Sequence, residues 1–215
     1  MDEPQLLIEH WGQPTEITDI VASQINESSS TKKPGLYIEG IFLQAEVVNR
    51  NKRLYPKKIL EKAIDRYITE QVKTSQALGE LNHPPRAMVD PMQAAIIIEE
   101  MWWKGNNVYG RARIIEGDNG PGDKLAANIR AGWKPGVSSR GLGSVKDSGR
   151  GFNIVQEGFR LTVGVDVVWG PSAPEAYVTP FEINESINTN EPKVINKMNF
   201  DNQFLVLTAN LGRYK

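Results

Sequence analysis

Hydrophobic and polar positions change period several times along this chain. Between Pro56 and Val72, Leu60, Ala63, Ile64, Tyr67 and Ile68 recur at three-to-four spacing, while Lys57, Lys58, Glu61, Asp65 and Arg66 take the other face. That spacing predicts an amphipathic helix, and Pro56 suits its first turn. Elsewhere strand signals dominate. Leu36 to Val48 is rich in β-branched and aromatic residues after Pro34-Gly35, which predicts a strand. Ala94 to Ile98 is an uninterrupted apolar run, and Val108 to Ile115 alternates with period two. These predict a buried and a half-exposed strand. Three more strands are expected around Val137 to Val145, Phe152 to Glu157 and Leu161 to Trp169. The turn Asp147-Ser148-Gly149-Arg150-Gly151 makes the first two a hairpin. A short helix capped by Asp123 is expected over Lys124 to Arg130, ending at Gly132. Many closely spaced strands with two helices predict an α+β fold around a closed or nearly closed antiparallel sheet.

Polar stretches frame this region. Residues 22–33, with Ser28-Ser29-Ser30-Thr31-Lys32-Lys33, read as a linker, and Asn184 to Lys197 as another, followed by the apolar patch Phe204-Leu205-Val206-Leu207. The expected organisation is a tail and linker over 1–33, a compact domain over 34–182 and a carboxyl-terminal tail over 183–215. The charge balance adds exclusions. With 25 Lys+Arg against 26 Asp+Glu, no basic excess points to nucleic acid or an anionic membrane. The absence of cysteine excludes disulfides, thiolate metal sites and a cysteine nucleophile. The apolar runs are far too short to span a bilayer, and the acidic amino terminus, interrupted by Pro4, is unlike a secretory signal. A soluble intracellular protein is expected.

Candidate chemistry concentrates in two segments, Gly79-Glu80-Leu81-Asn82-His83-Pro84-Pro85 and Gly136-Val137-Ser138-Ser139-Arg140-Gly141-Leu142-Gly143. The chain has two histidines, His10 and His83. A serine becomes a nucleophile when a base takes its proton, and histidine is the usual base near neutral pH. His83 stands before a rigid Pro-Pro pair, which holds it extended. The glycines around Ser138 and Ser139 let a substrate backbone approach, and their amides suit an oxyanion site. Adjacent serines in a strand face opposite ways, so the residues alone do not choose between them. Asp166 lies in the apolar stretch Leu161 to Trp169, where a carboxylate is costly unless paired, and it is the leading group to orient the imidazole. Glu80 and Asp90 are the alternatives. Two histidines without cysteine make a poor zinc site, the Asp118-Asn119-Gly120 stretch lacks a calcium loop's closing Glu, and Gly141-Leu142-Gly143 lacks a dinucleotide loop's setting. No metal or cofactor is expected.

At these residues the sequence resembles the prohead core proteases of T-even-type tailed phages. The resemblance runs through Gln44 to Tyr55, Gln76 to Pro85, Asp90 to Glu99, Gly120 to Trp133, Gly136 to Ser144 and Leu161 to Pro174. It implies a serine endopeptidase with a herpesvirus-protease-like fold, a β-barrel core surrounded by helices. The family's histidine falls on His83 and its serine on Ser138; Asp166 lies where herpesvirus relatives place a second histidine. Implied substrates are the scaffold, core and major capsid proteins, inside the prohead in the infected host cytoplasm, with a dimer or ring as the oligomer. The family cuts after Glu in an Ile/Leu–X–Glu context and also cuts itself. The tetrapeptide Ile-Asn-Glu-Ser occurs at Ile25 to Ser28 and again at Ile183 to Ser186. Self-cleavage is therefore expected after Glu27 and Glu185, making the carboxyl-terminal tail a propeptide. Recognition of a substrate Glu needs a cation, for which Arg140 and Arg113 are candidates, with Arg140-Gly141 amides at the oxyanion. A different class of reading, a non-enzymatic scaffold or capsid-interaction protein, is disfavoured by the retention of His83 and Ser138.

Overall fold

The structure, a computed structural model, describes residues 5–8, 33–117 and 119–183. The strands are β1 (Gln5–Ile8), β2 (Gly35–Gln44), β3 (Arg53–Leu54), β4 (Leu78–Glu80), β5 (Ala94–Lys104), β6 (Asn107–Ile114), β7 (Gly136–Gly143), β8 (Val145–Asp147), β9 (Asn153–Val155), β10 (Arg160–Val168) and β11 (Val178–Ile183). Two α-helices, α1 (Lys57–Tyr67) and α2 (Pro121–Arg130), complete them. The strands form a five-stranded sheet in the order β11-β2-β6-β5-β4, a three-stranded sheet β1-β7-β10 and a small sheet β3-β9-β8.

This corrects the expected α+β barrel. The described residues are mostly strand, with two short helices rather than a helical surround, and no sheet closes. The reason lies in the strand ends. A barrel needs an unbroken ladder with a fixed stagger around its circumference. Here the large sheet ends on β4, which is three residues long and whose pairing with β5 shifts register between Gly79 and Glu80. Beyond it, one parallel bridge, Leu81 to Val167, reaches β10.

Other expectations fare better. The face predicted for α1 is the buried one: Leu60, Ala63, Ile64 and Tyr67 all lie in the core, where a fully buried Leu or Ile contributes about 1.5–3 kcal/mol. The helix stops at Tyr67, and Ile68–Val72 continues as a wider π turn. Asp123 does not cap α2; Gly120 stands at the cap and Pro121 in the first turn. The Asp123 carboxylate instead accepts the amides of Gly117 and Asn119, tying the preceding loop back. The strand expected over Val137 to Val145 divides into β7 and β8, and β8 with β9 forms the anticipated hairpin. The core joins both larger sheets and both helices, with Ile38, Phe42, Ile96, Ile98, Val137 and Val165 buried in one cluster with Leu60, Ile64, Leu125 and Ile129.

Candidate active site

Three strands converge below His83. Gly79 in β4 lies so close to β10 that an added Cβ would sit 2.2 Å from the Val165 carbonyl oxygen. That approach brings the Glu80 amide within 2.9 Å of Asp166 Oδ1. Leu81 then bridges to Val167, and the Asn82 amide donates to the Val167 carbonyl at 2.8 Å. Asn82 has a φ of 80°, a left-handed conformation that asparagine tolerates better than most residues. This turn puts His83 over β10, with Nδ1 2.7 Å from Asp166 Oδ2.

The Asp166 carboxylate is the hub. It is fully buried in β10, and its Oδ1 accepts both the Glu80 amide and Arg140 Nη2, each at 2.9 Å. Arg140 Nε lies 2.7 Å from Oδ2, beside the imidazole. The same guanidinium donates through Nη2 to Glu80 Oε1 at 3.1 Å and through Nη1 to the Arg86 and Met88 carbonyls. Glu80 completes the assembly, accepting from the Asp90 amide on Oε1 and from Arg86 on Oε2. A buried charge is tolerated when paired and hydrogen-bonded, and here two carboxylates share one buried guanidinium. Tyr67 on α1 borders the cluster. Burial pushes its hydroxyl up to about 12, a rise eased by a bond with the Gly164 backbone and reinforced by the Asp166 charge.

Ser138 is the cross-strand partner of Asp166 between β7 and β10, so directly opposed Cα atoms bring it within about 4.5–5.5 Å of the carboxylate's strand. The structure thus brings together three of the residues singled out in the sequence. His83 Nε2 is buried without a hydrogen-bond partner, so the Ser138 hydroxyl is not bonded to it in this conformation. Catalytic bonds often lengthen in unliganded enzymes. Ser138 and Ser139 both line a pocket with Phe42, Tyr55, Leu60 and Val137. Arg140 faces inward and is fully buried. Gly141 is paired on both sides, with Leu7 of β1 and Leu161 of β10. Arg113 lies in β6, 2.9 Å from Glu99, and is not brought to this cluster. Glu27 and Glu185, like His10 and the Phe204 to Leu207 patch, lie outside the described residues.

Sequence reasoning underrated Glu80, the second carboxylate of the network. Its signal was the one used for Asp166, a lone acid among apolar neighbours, here between Gly79 and Leu81.

Residues 6–188 match the family described as prohead core protein serine protease. The chain belongs to this family. The prohead core protein protease of Enterobacteria phage T4 is 76% identical over 190 residues, covering 86% of this chain and 89% of the relative. The solved structure of the bacteriophage T4 capsid assembly protease matches with a TM-score of 0.69 and 76% identity, over 79% of this chain and all of that one. The chain is therefore a protease of the phage prohead core family, and the buried His–Asp pair beside a serine is read in that light.

Proposed function

We propose that the protein is a serine endopeptidase working by acyl transfer, with Ser138 as nucleophile, His83 as general base and acid, and Asp166 as the group that orients the imidazole. The observation that carries this reading is the 2.7 Å bond between His83 Nδ1 and Asp166 Oδ2, with Ser138 across the strand from that same aspartate. An ionised carboxylate only accepts hydrogen bonds, so Nδ1 holds the hydrogen and Nε2 keeps a lone pair. That is the tautomer a general base requires.

In the proposed reaction Ser138 Oγ attacks the substrate carbonyl as its proton passes to His83 Nε2. Backbone amides of the Arg140-Gly141 stretch, released from their pairing with Ile8 and Leu7 of β1, stabilise the oxyanion. The carbon–nitrogen bond then breaks as Nε2 returns the proton to the departing amine. Water, giving its proton to the same nitrogen, hydrolyses the acyl-enzyme and regenerates Ser138. Arg140 and Glu80 act as positioning residues. Arg140 holds the Asp166 carboxylate from below and ties down the His83 loop through the Arg86 and Met88 carbonyls.

Substrates are the scaffold, core and major capsid proteins of the phage, cut after Glu in an Ile/Leu–X–Glu context within the prohead in the infected cell. Family membership and the duplicated Ile-Asn-Glu-Ser tetrapeptide support this, with Glu27 and Glu185 as the self-cleavage points. The test is cleavage of a peptide containing Ile-Asn-Glu-Ser, followed by intact-mass analysis of the protein. The parent is expected to cut after Glu and to trim itself after Glu27 and Glu185, leaving a mature form from Ser28 to Glu185. Ser138→Ala abolishes both activities and Ser139→Ala keeps them. Undiminished cleavage by Ser138→Ala overturns the choice of nucleophile. Intact Glu27 and Glu185 sites alongside cuts elsewhere overturn the specificity.

A further inference from the structure

From Arg140 to Gly143 the strand that carries Ser138 has two unlike neighbours, while at Gly136 and Val137 the Ala176–Tyr177 segment pairs with it. On one side β10 pairs with β7 from Gly136 to Leu142, passing through the Asp166–Ser138 pair. On the other stands β1, four residues long, which forms the outer edge of this sheet. Its register runs from Gln5 opposite Gly143 to Ile8 opposite Arg140. The carboxyl end of β1 is therefore directed along β7 toward Ser139 and Ser138.

Leu7 anchors β1 in the core. Leu7 is buried in the core opposite Gly141, Leu6 is half-buried and Gln5 is exposed. An apolar anchor with backbone pairing on either side of it is how an extended peptide adds to a sheet edge: the ladder supplies affinity and the pocket selects the side chain. The sequence adds a second, independent sign. Leu7-Ile8-Glu9 repeats the apolar–any–Glu order of Ile25-Asn26-Glu27 and Ile183-Asn184-Glu185. The strand on the nucleophile's edge is thus composed like the segments proposed for cleavage.

We propose that the edge of β7 holding β1 is the track on which extended peptide substrates bind, and that β1 is its intramolecular occupant. This rests on the reading of Ser138 as the nucleophile. The ligand class is an extended peptide that places Leu or Ile in the site of Leu7 and replaces the β1 ladder with its own backbone. Substrate must therefore displace β1, and the amino-terminal segment restrains the enzyme until it is displaced.

The experiment uses the full chain and its lack of cysteine. Leu6 and Leu142 are directly opposed, and opposed Cα atoms about 4.5–5.5 Å apart are within disulfide reach. Leu6→Cys and Leu142→Cys are introduced together in a Ser138→Ala background, so that binding is measured without cleavage. Fluorescence anisotropy follows a labelled peptide containing Ile-Asn-Glu-Ser. The reduced protein is expected to bind it, the oxidised protein at least tenfold more weakly, with binding restored by dithiothreitol. Equal affinity of the two forms overturns the proposal, as does absence of binding in both. Failure of the two thiols to cross-link also overturns it, since the register would then be wrong. Absence of hydrolysis by the unsubstituted chain would overturn the peptidase reading on which the proposal rests, whereas the binding comparison bears on the β7 edge alone.

Discussion

Arg140 and Arg111 are both fully buried, and each lies between two carboxylates. Arg111 in β6 binds Glu39 through Nε and Nη2, both at 2.7 Å, and Glu100 through Nη1 at 3.1 Å. Its guanidinium is also flanked by the Trp102 and Phe181 rings at 6.0 and 5.9 Å. Among the described residues Arg140 is flanked by no such rings, and one of its carboxylates, Asp166, also holds an imidazole. A buried ion cluster is therefore not in itself a sign of chemistry in this fold. What distinguishes the Asp166 cluster is a titratable ring with one nitrogen fixed and the other unpartnered. The Arg111 cluster ends in aromatic faces and, among the described residues, holds no imidazole.

The largest expected effect breaks that difference directly. Asp166→Asn offers an amide to His83 in place of a carboxylate and favours the wrong tautomer, a change that costs on the order of 10⁴-fold in kcat in serine proteases. Glu39→Gln makes the equivalent change in the Arg111 cluster and is expected to alter kcat/KM by less than about threefold, a level consistent with no transition-state role. Steady-state cleavage of an Ile-Asn-Glu-Ser peptide measures both. Similar losses in the two variants would mean that the clusters are functionally equivalent.

Removing the arginines sharpens the comparison on stability. Arg140→Met leaves Asp166 and Glu80 buried without their shared cation, whereas Arg111→Met takes a buried cation from Glu39 and Glu100, which are themselves only half-buried. Breaking a buried ion pair costs about 3–5 kcal/mol, a large share of a typical 5–15 kcal/mol total. Both variants are expected to melt earlier by calorimetry. Below the melting transition, kcat per folded molecule falls more than about tenfold for Arg140→Met alone, with KM changed less, because only that arginine aligns the His83 loop with Asp166. Arg140→Lys recovers part of kcat; a stability loss with unchanged kcat would make Arg140 purely structural.

Glycines at the two regions provide the next test. An alanine Cβ at Gly79 meets the Val165 carbonyl at 2.2 Å, and one at Gly110 meets the Phe42 ring at 2.3 Å. Contacts this close force movement, and overpacking costs about 1–3 kcal/mol or more. Gly79→Ala pushes β4 from β10 and removes the Glu80 amide from Asp166, so activity falls with stability. Gly110→Ala shifts a core ring and lowers the melting temperature with activity per folded molecule retained.

These same residues show what the sequence could and could not reveal. The buried face of α1 was legible because a 3.6-residue period survives any tertiary context that buries one face. His83, Ser138 and Asp166 were legible as types, since each is a polar group set among small, rigid or apolar neighbours. The pairing of Ser138 with Asp166 was not, because register depends on partners distant in sequence and on the bulges between Leu161 and Asp166. The absence of barrel closure was hidden for the same reason: a three-residue β4 follows from Gly79 packing against β10, which no local pattern announces. Arg140 was the least legible. A guanidinium reads alike whether it faces a substrate or a buried carboxylate, and only the fold turns it inward.

The smallest expected effect uses a tyrosine from each region. Burial is the leading reason that Tyr67, beside Asp166, and Tyr37, beside Glu99 and Arg113, are both pushed up to about 12. A raised tyrosine pKa means that the folded state keeps its proton while the unfolded chain, near the usual value of 10, has begun to ionise. The associated stability is whole below pH 10 and is lost as pH climbs through 12. Two units at Tyr67 correspond to about 3 kcal/mol at most. Tyr67→Phe and Tyr37→Phe are each expected to flatten the decline in melting temperature between pH 10 and 12, by a few degrees over that window. At neutral pH the tyrosine is uncharged in both states, so neither substitution acts through this linkage there. Only Tyr67 borders the Asp166 cluster, so a change in kcat at neutral pH is expected for Tyr67→Phe and not for Tyr37→Phe, and it remains within about threefold. An equal change at both positions would show that the two regions communicate through the β2–β6–β5 ladder rather than standing apart.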